Sequence, residues 1–172
     1  MKAGGQVDSI LPITEHLRRF RATLAEQPDT LRHAAPSREA VAARWLAAMT
    51  ARDTQALRHL ALDRAEFAYL YYPGTALSEP PYSMPAELLW SQMYMSSEDG
   101  ARAALRTLAG RRATMVSFRC PESPRREGAN SLHQNCLVVL RVDGRTLPET
   151  RVFGTIIERD GRFKLVGLSS KL

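Results

Sequence analysis

Four apolar segments with strand-like alternation fill most of the last third of the chain, and they constrain the fold more than any other feature. The turn between the last two contains Asp160-Gly161 with apolar alternation on both sides, a pattern typical of a two-residue hairpin. Strands joined by short turns pair antiparallel. The chain is therefore predicted to end in an antiparallel meander of ATMVSFR (113–119), LHQNCLVVLRV (132–142), TRVFGTIIE (150–158) and RFKLVGLS (162–169).

An apolar stripe near the N-terminus predicts an amphipathic helix, formed by Ile13, Leu17, Phe20 and Leu24. A helix this short needs burial to be stable in water, so we expect it to dock on the body of the protein or on a second copy of the chain. We expect residues 1–9 to be mobile. Residues 1–36 are assigned to this tail, the helix and a linker, and residues 37–172 to one domain.

The domain is predicted to begin with a helical hairpin and to continue, after one interruption, with a long helix. Ser37 and Asp53 are good N-cap residues for the two helices of the hairpin. The long helical region runs from Ser83 to Gly110, which is a typical C-terminal stop. Ser96, Ser97 and Gly100 interrupt it, which predicts a kink or two abutting helices.

The interruption between these helices is the aromatic run AEFAYLYY (65–72). It is short and alternating, and aromatic residues are enriched in strands, so we interpret it as a strand. Phe67, Tyr69 and Tyr71 would share one face of that strand. The proline-rich connection that follows would hold further tyrosine rings near the same place.

This order of elements resembles the nuclear transport factor 2-like superfamily, which includes polyketide cyclases and ketosteroid isomerases. The resemblance covers residues 37–168 and depends on SREAVAARWLAAMTARDTQALRHLAL and FGTIIERDGRFKLVG. It implies an α+β fold in which a curved, cone-shaped antiparallel sheet wraps around the long helix. It also implies a pocket at the wide end of the cone.

Aromatic residues are the candidate lining of that pocket. Trp90 and Tyr94 are four residues apart and so share a helical face. Arg151 would bind an anionic group if its strand face is concave, but alternation leaves that face open. The expected ligand is a small, apolar or weakly anionic molecule, and the candidate residues are Trp45, Tyr69, Tyr71, Trp90, Tyr94, Arg151 and Phe153.

The sequence leaves three kinds of function open. The first is a non-catalytic pocket domain, and the second is a cyclase-type or isomerase-type enzyme with a carboxylate in the pocket. The third is a protein-interaction module that uses the open face of the sheet. Glu66, Glu149 and Glu158 are the carboxylates on predicted strands, but none matches the catalytic residues of the isomerases, so no catalytic residue is assigned.

Other chemistries lack their usual sequence markers. There is no phosphate loop, dinucleotide-binding glycine pattern, nucleophile elbow or zinc-protease motif, so no cofactor is expected. His133 lies near Cys120 and Cys136, but positions 133 and 136 of a strand point to opposite faces, so we expect no metal site.

The charge pattern indicates a basic surface without a nucleic-acid site. The net charge is +6, and three of the 24 basic residues are lysines. Basic clusters lie in three separate places with only Phe20 interleaved, whereas a nucleic-acid surface needs cations and stacking rings on one face. No run of residues is long and apolar enough for a membrane helix. A homodimer through the sheet face or the N-terminal helix is the expected protein contact.

The two cysteines of the chain, Cys120 and Cys136, flank a polar, turn-rich stretch centred near Gly128. A hairpin with that centre places them directly opposite each other, within the separation that a disulfide needs. We prefer this bridge to two reduced core cysteines. A bridge indicates an oxidising compartment, so we expect a secreted or lipid-anchored form whose export signal is absent from this numbering. The alternative is a cytoplasmic protein.

Overall fold

The computed structural model describes residues 11–172, in which five helices pack with two antiparallel sheets. The helices are α1 (Ile13–Ala22), α2 (Arg38–Ala51), α3 (Thr54–Leu60), α4 (Arg64–Glu66) and α5 (Ala86–Leu108). The strands are β1 (Ala113–Arg119), β2 (Arg125–Glu127), β3 (Asn130–His133), β4 (Leu137–Val142), β5 (Arg145–Thr146), β6 (Ile156–Arg159) and β7 (Arg162–Leu165). The predicted α+β class is confirmed, and our expectation for residues 1–9 lies outside the described residues.

The two sheets are linked by the strand segment that precedes β6. One sheet has the strand order β1-β4-β5 and the other β2-β3-β6-β7. Val138 in β4 and Thr150 exchange two backbone hydrogen bonds, with N···O distances of 2.9 and 3.0 Å. The chain then pairs with β3 through β6. The antiparallel pairing predicted for the C-terminal third therefore continues from one sheet into the other.

The disulfide between Cys120 and Cys136 is confirmed. Arg119 pairs with Leu137 at the end of the β1–β4 ladder, so the next residue on each side brings the two cysteines together. The β2–β3 hairpin turns between Glu127 and Asn130, where Gly128 has a left-handed φ of 58°. The predicted centre of the hairpin is therefore correct.

Three of the predicted strands are shorter than the sequence pattern suggested, and the last one, predicted over 162–169, is β7 (Arg162–Leu165). The segment 132–142 is divided between β3 and β4, because Asn135 has a left-handed φ of 53° that interrupts the strand. In the segment 150–158 only β6 is a strand. Val152 and Phe153 precede β6 and are fully buried in the main core.

The aromatic run 65–72 is helical, so the prediction of a strand there is wrong. Asp63 accepts a hydrogen bond from the Glu66 backbone N–H at 2.9 Å, and the Glu66 carboxylate accepts one from the Asp63 N–H at 3.0 Å. This reciprocal capping box starts α4, which continues as a π-helical turn over Phe67–Tyr71. Consecutive residues at 65–68 are all buried, because α1 and α5 cover one side of the run and the sheet covers the other.

The apolar interior is divided into a main core, a smaller cluster around α1 and a third cluster of leucines and Ile157 between the run 65–72 and the sheet. In the main core, Trp45 of α2 packs edge-on against Phe153 with ring centroids 5.5 Å apart, and both are fully buried. In the smaller cluster, Phe20 of α1 packs edge-on against Phe67 at 5.8 Å. The N-terminal helix is thus docked on the body of the same chain.

The long helix α5 is continuous, so the prediction of two abutting helices is wrong. Its small residues instead receive the C-terminal segment. The Ser97 hydroxyl accepts a hydrogen bond from the Leu168 N–H at 2.8 Å. Gly100 is fully buried against this segment, and a Cβ atom there would lie 2.7 Å from the Ser170 nitrogen. The interruption in the apolar pattern thus marks where the segment after β7 crosses α5.

Candidate functional site

A buried ion pair joins α4 to β7. The Lys164 ammonium lies 2.7 Å from Oε2 of Glu66, and both side chains are almost fully buried. The other carboxylate oxygen, Oε1, accepts the Arg32 backbone N–H at 2.6 Å, and Oε2 also accepts the Asp63 N–H. Each oxygen of Glu66 is therefore occupied by partners within the chain. This arrangement can hold α4 on the sheet, but it leaves no oxygen for a substrate.

The other two candidate carboxylates are also engaged in ion pairs or hydrogen bonds. Glu149 makes a two-point contact with the Arg119 guanidinium, with N···O distances of 2.5 and 2.9 Å. The hydrogen bonds from Arg119 lower the pKa of the Glu149 carboxyl, which is opposite to the shift that a general base at neutral pH requires. Glu158 lies 2.8 Å from Nε2 of His133.

His133 takes part in a packed polar cluster and not in a metal site. Its Nδ1 lies 3.4 Å from the Arg38 guanidinium, and its ring is nearly buried beside Phe163. Both cysteines are consumed by the disulfide. Across residues 11–172, no three His, Cys, Asp or Glu side chains converge so that they could hold a metal ion. None of the helices in this range has the length and hydropathy of a membrane span.

A groove along the N-terminal half of α5 is the candidate ligand site. It has a volume of about 230 Å³, and its surface is mostly apolar. We call it the α5 groove. Its apolar walls are Ala61, Leu62, Trp90, Met93, Tyr94, Val166 and Leu168, and its polar lining residues are Arg58, Asp63, Arg64, Ser97 and Glu98.

Three of the five polar lining residues are tied to other parts of the protein, among them Ser97 through its hydrogen bond from Leu168, and two are not. Asp63 binds Arg32 at 2.5 Å and caps α4, while Arg64 binds Glu87 at 2.8 Å. Arg58 and Glu98 are exposed, and within the described chain neither has a side-chain ion pair. A ligand in the α5 groove would therefore meet aromatic and aliphatic walls with one available cation and one available carboxylate at the rim.

The seven predicted pocket residues do not converge on one cavity. Trp90 and Tyr94 line the α5 groove together, as their spacing of four suggested, with ring centroids 6.1 Å apart. Trp45 and Phe153 are fully buried in the main core. Arg151 is half-buried, and its backbone carbonyl accepts the Lys171 N–H at 3.1 Å.

The two remaining pocket candidates, Tyr69 and Tyr71, lie in the smaller apolar cluster. The Arg21 guanidinium stacks over the Tyr69 ring at 4.4 Å. Burial raises the pKa of the Tyr71 phenol, and the negative charge of Glu127 adds to this effect. Both rings therefore complete the packing beneath α1. Their position follows from the helical conformation of the run 65–72.

Two functional features were not found in the sequence. Lys164 lies in an alternating strand pattern, and nothing in one sequence shows that its side chain points inward. Nothing in the sequence distinguishes Arg58 from the other polar positions of α3. One signal was available: Asp63 and Glu66 have the spacing of a capping box before an apolar run, which would have predicted a helix in the aromatic segment.

Comparison with known proteins gives no relative, because no protein-family model, curated protein or solved structure matches this chain.

Proposed function

We propose that this protein is a non-catalytic domain that binds a small, largely apolar molecule in the α5 groove. The observation that carries the proposal is the pairing of Trp90 and Tyr94 on one wall of a mostly apolar groove. Ligand sites in proteins are typically concave and apolar, with a few polar groups that orient the ligand. Arg58 and Glu98 at the rim supply such groups.

The proposed fold is that of a nuclear transport factor 2-like domain, with one curved sheet wrapped around the long helix. In its favour are the helical hairpin of α2 and α3, the long α5 and the antiparallel pairing that continues across the two sheets. An extracytoplasmic location is part of the proposal, and the disulfide is consistent with it.

The enzymatic alternative has less support. A general base would need a carboxylate with a raised pKa inside a cavity. Glu66 and Glu158 are bound to Lys164 and His133, and the pKa of Glu149 is lowered. The interaction-module alternative needs an apolar patch on a sheet, and Val116 is the one large apolar side chain that is well exposed on a strand of the described chain.

Tryptophan fluorescence tests the proposal, because the chain contains two tryptophans in different surroundings. A long-chain alcohol that carries bromine atoms quenches a tryptophan only when it lies close to the ring. We expect saturable quenching in the wild type. In Trp90→Phe the remaining emission comes from Trp45, which is fully buried, and we expect it to be unaffected. Equal quenching in both proteins, or none in either, would contradict the proposal.

A pair of tyrosine variants provides the matched control. Tyr94 and Tyr82 are both exposed, with 51% and 65% of their surface accessible, but only Tyr94 lines the α5 groove. We expect Tyr94→Ala to weaken binding of the brominated alcohol about tenfold, since aromatic side chains dominate apolar binding sites. Tyr82→Ala should leave the affinity unchanged.

A further inference from the structure

The α5 groove is one part of a longer depression along α5. A second groove, also lined by Arg58, Glu98 and Leu168, adjoins it toward the C-terminal end of the helix. A third groove, of about 450 Å³, shares Thr54, Arg102 and Leu105 with the second. We call these three adjoining grooves the α5 trough. Since an α-helix rises about 1.5 Å per residue, the trough extends about 24 Å from Trp90 to Arg106.

The polarity of the trough changes from one end to the other. Its floor in α5 follows the row Tyr94, Glu98, Arg102 and Arg106, whose members are four residues apart and therefore neighbours on the helix surface. The end near Tyr94 has aromatic and aliphatic walls. The opposite end is lined by three arginines, and we call Arg52, Arg102 and Arg106 the cationic end.

The arginines of the cationic end are available to a ligand. Some exposed arginines elsewhere hold a carboxylate closely, as Arg111 does with Asp143 at 2.7 Å, whereas others in the described chain, such as Arg162, stand apart from the grooves without one. Within residues 11–172, Arg52 and Arg106 have no side-chain ion pair, and Arg102 has only a loose one to Asp99 at 3.6 Å. No carboxylate lines this last groove. The cationic end therefore carries uncompensated positive charge.

One carboxylate lies in the middle of the trough. Glu98 lines the α5 groove and the second groove together with Arg58, and it stands one helical turn before Arg102. Its negative charge is thus flanked by a cation on each side. Glu98 lowers the positive potential most in the middle of the trough and less at Arg52 and Arg106, which lie farther from it.

We infer that the ligand is a single-chain amphiphile with an anionic head group, a carboxylate or a phosphate. This inference builds on the proposed function. The chain lies along the apolar walls near Trp90, and the head group binds the guanidinium groups of Arg52 and Arg106 at the other end. Guanidinium groups hold carboxylates and phosphates through paired, charge-assisted hydrogen bonds.

Neither end alone gives the full affinity. The arginines are exposed, and isolated ion pairs at a protein surface contribute little in salt-containing water. The α5 groove itself has a volume of about 230 Å³, which is small for a complete ligand site. A ligand that spans both ends gains apolar burial at one and charge pairing at the other. Inorganic phosphate should therefore bind far more weakly than an alkyl phosphate.

Calorimetric titration with three amphiphiles of equal chain length tests the inference. The three are an alkyl phosphate, an alkyl alcohol and an alkyl trimethylammonium, each kept below its critical micelle concentration. We expect the phosphate to bind at least tenfold more tightly than the alcohol, and the ammonium more weakly than the alcohol. Equal affinities for all three would overturn the inference while leaving the proposed function in place. Failure of all three to bind would overturn both.

Arginine variants locate the head group. The double variant Arg52→Gln, Arg106→Gln should lose at least tenfold in affinity for the alkyl phosphate and little for the alcohol. The matched control is Arg162→Gln, which removes the same kind of exposed charge from the turn end of β7, outside the trough. Glu98→Gln should strengthen phosphate binding. The inference is wrong if Arg162→Gln weakens binding of the alkyl phosphate as much as Arg52→Gln or Arg106→Gln alone does. The loss of affinity would then follow the net charge of the protein and not the position of the arginine.

Brominated alkyl phosphates test the orientation of the ligand along the trough. Bromine at the end of the chain should quench Trp90, and bromine next to the head group should not. The opposite result would reverse the ligand in the trough and refute the assignment of the arginines. A control titration with inorganic phosphate should show no binding at concentrations that saturate the alkyl phosphate. Comparable affinity for inorganic phosphate would mean that the cationic end is a simple anion site, which also contradicts the inference.

Discussion

The interior ion pair and the cationic end of the trough are both built from charged side chains, but they differ in what surrounds the charge. Lys164 is almost fully buried and has its carboxylate partner at 2.7 Å. Arg52 and Arg106 are exposed, and neither has such a partner among residues 11–172. The interior ion pair thus has both of its charges within the chain, whereas Arg52 and Arg106 of the cationic end have no carboxylate partner in the described residues.

This difference indicates which charges serve stability and which serve binding. A buried charge is costly unless its partner is present, so removing one member of a buried pair is strongly destabilising. An exposed charge without a partner contributes little to the folded state. Charge substitutions in the interior should therefore change the free energy of unfolding, and those in the trough should change only ligand affinity.

The largest effect is expected from Lys164→Met, which leaves the Glu66 carboxylate buried without its cation. We expect the free energy of unfolding to fall by about 3 to 5 kcal/mol, measured by urea denaturation. The matched control, Lys171→Met, removes an exposed lysine and should change it by less than about 0.5 kcal/mol. If the two variants are equally stable, the ion pair is not a structural element.

A double variant tests whether Glu66 and Lys164 act as a pair. Glu66→Gln combined with Lys164→Met removes both charges, so no unpaired charge remains in the interior. We expect the combined loss of unfolding free energy to be smaller than the sum of the two single losses, as for other contacting pairs. Additive losses would mean that the two side chains act independently, despite their contact.

The second largest effect is expected from removal of the disulfide that fixes the sheet. Cys120 and Cys136 are separated by 16 positions, and a closed loop of that size contributes about 3 kcal/mol in the chain-entropy estimate. The variant Cys120→Ser, Cys136→Ser should lose about that much unfolding free energy. Addition of a reductant should destabilise the wild type to the same level and leave the variant unchanged.

The cysteine pairing also has a direct chemical check. Intact mass after alkylation, with and without prior reduction, should show two alkyl groups only after reduction. Uptake of two alkyl groups without reductant would refute the bridge, and with it the support for an oxidising compartment.

The hairpin shows where local patterns are sufficient to predict structure. The separation of the two cysteines, the turn-rich stretch between them and the alternation on each side all specify the same register, and the pairing of Arg119 with Leu137 agrees with it. Register depends on residues that are near each other in the sequence. The predictions for this region therefore needed little information from distant parts of the chain.

The aromatic run 65–72 shows where such patterns fail. Alternating aromatic residues favour a strand on an open sheet, but here the run lies between helices and the sheet, which bury adjacent positions such as Phe67 and Ala68. Tertiary packing overrides the local preference. The prediction of a strand also puts Tyr69 and Tyr71 on a sheet face that lines a pocket. In the helical run these two rings lie beneath α1. Trp90 and Tyr94 do share a helical face, since a spacing of four residues fixes it.

An intermediate effect on the unfolding free energy is expected from Gly100→Ala. This variant changes the packing of the segment after β7 and, through that segment, the wall of the trough. The segment that follows Lys164 crosses α5 at Gly100 and lines the trough through Val166 and Leu168. An added methyl group would overlap the backbone of that segment, and overpacking of this kind costs about 1 to 3 kcal/mol. We expect a loss of about 2 kcal/mol, although alanine is the better helix former. Weaker binding of the alkyl phosphate should accompany it.

Ser96→Ala is the control for that variant. Ser96 is an exposed residue of the same helix that does not line the α5 groove. Its replacement should leave both the unfolding free energy and the affinity unchanged. If Gly100→Ala stabilises the protein, the C-terminal segment does not pack on α5 as closely as the structure has it.

The smallest effect on stability is expected from Arg52→Gln and Arg106→Gln. Both side chains are exposed at the end of the trough, and substitutions at such positions usually change the unfolding free energy by less than about 0.5 kcal/mol. Thermal denaturation without ligand should therefore be the same for both variants and the wild type. With a saturating alkyl phosphate the wild type should gain stability, because a ligand that binds only the folded state raises the melting temperature. The variants should gain less. A drop in the melting temperature without ligand would show that these arginines stabilise the fold, as Lys164 does. The proposed difference between the interior ion pair and the cationic end would then be wrong.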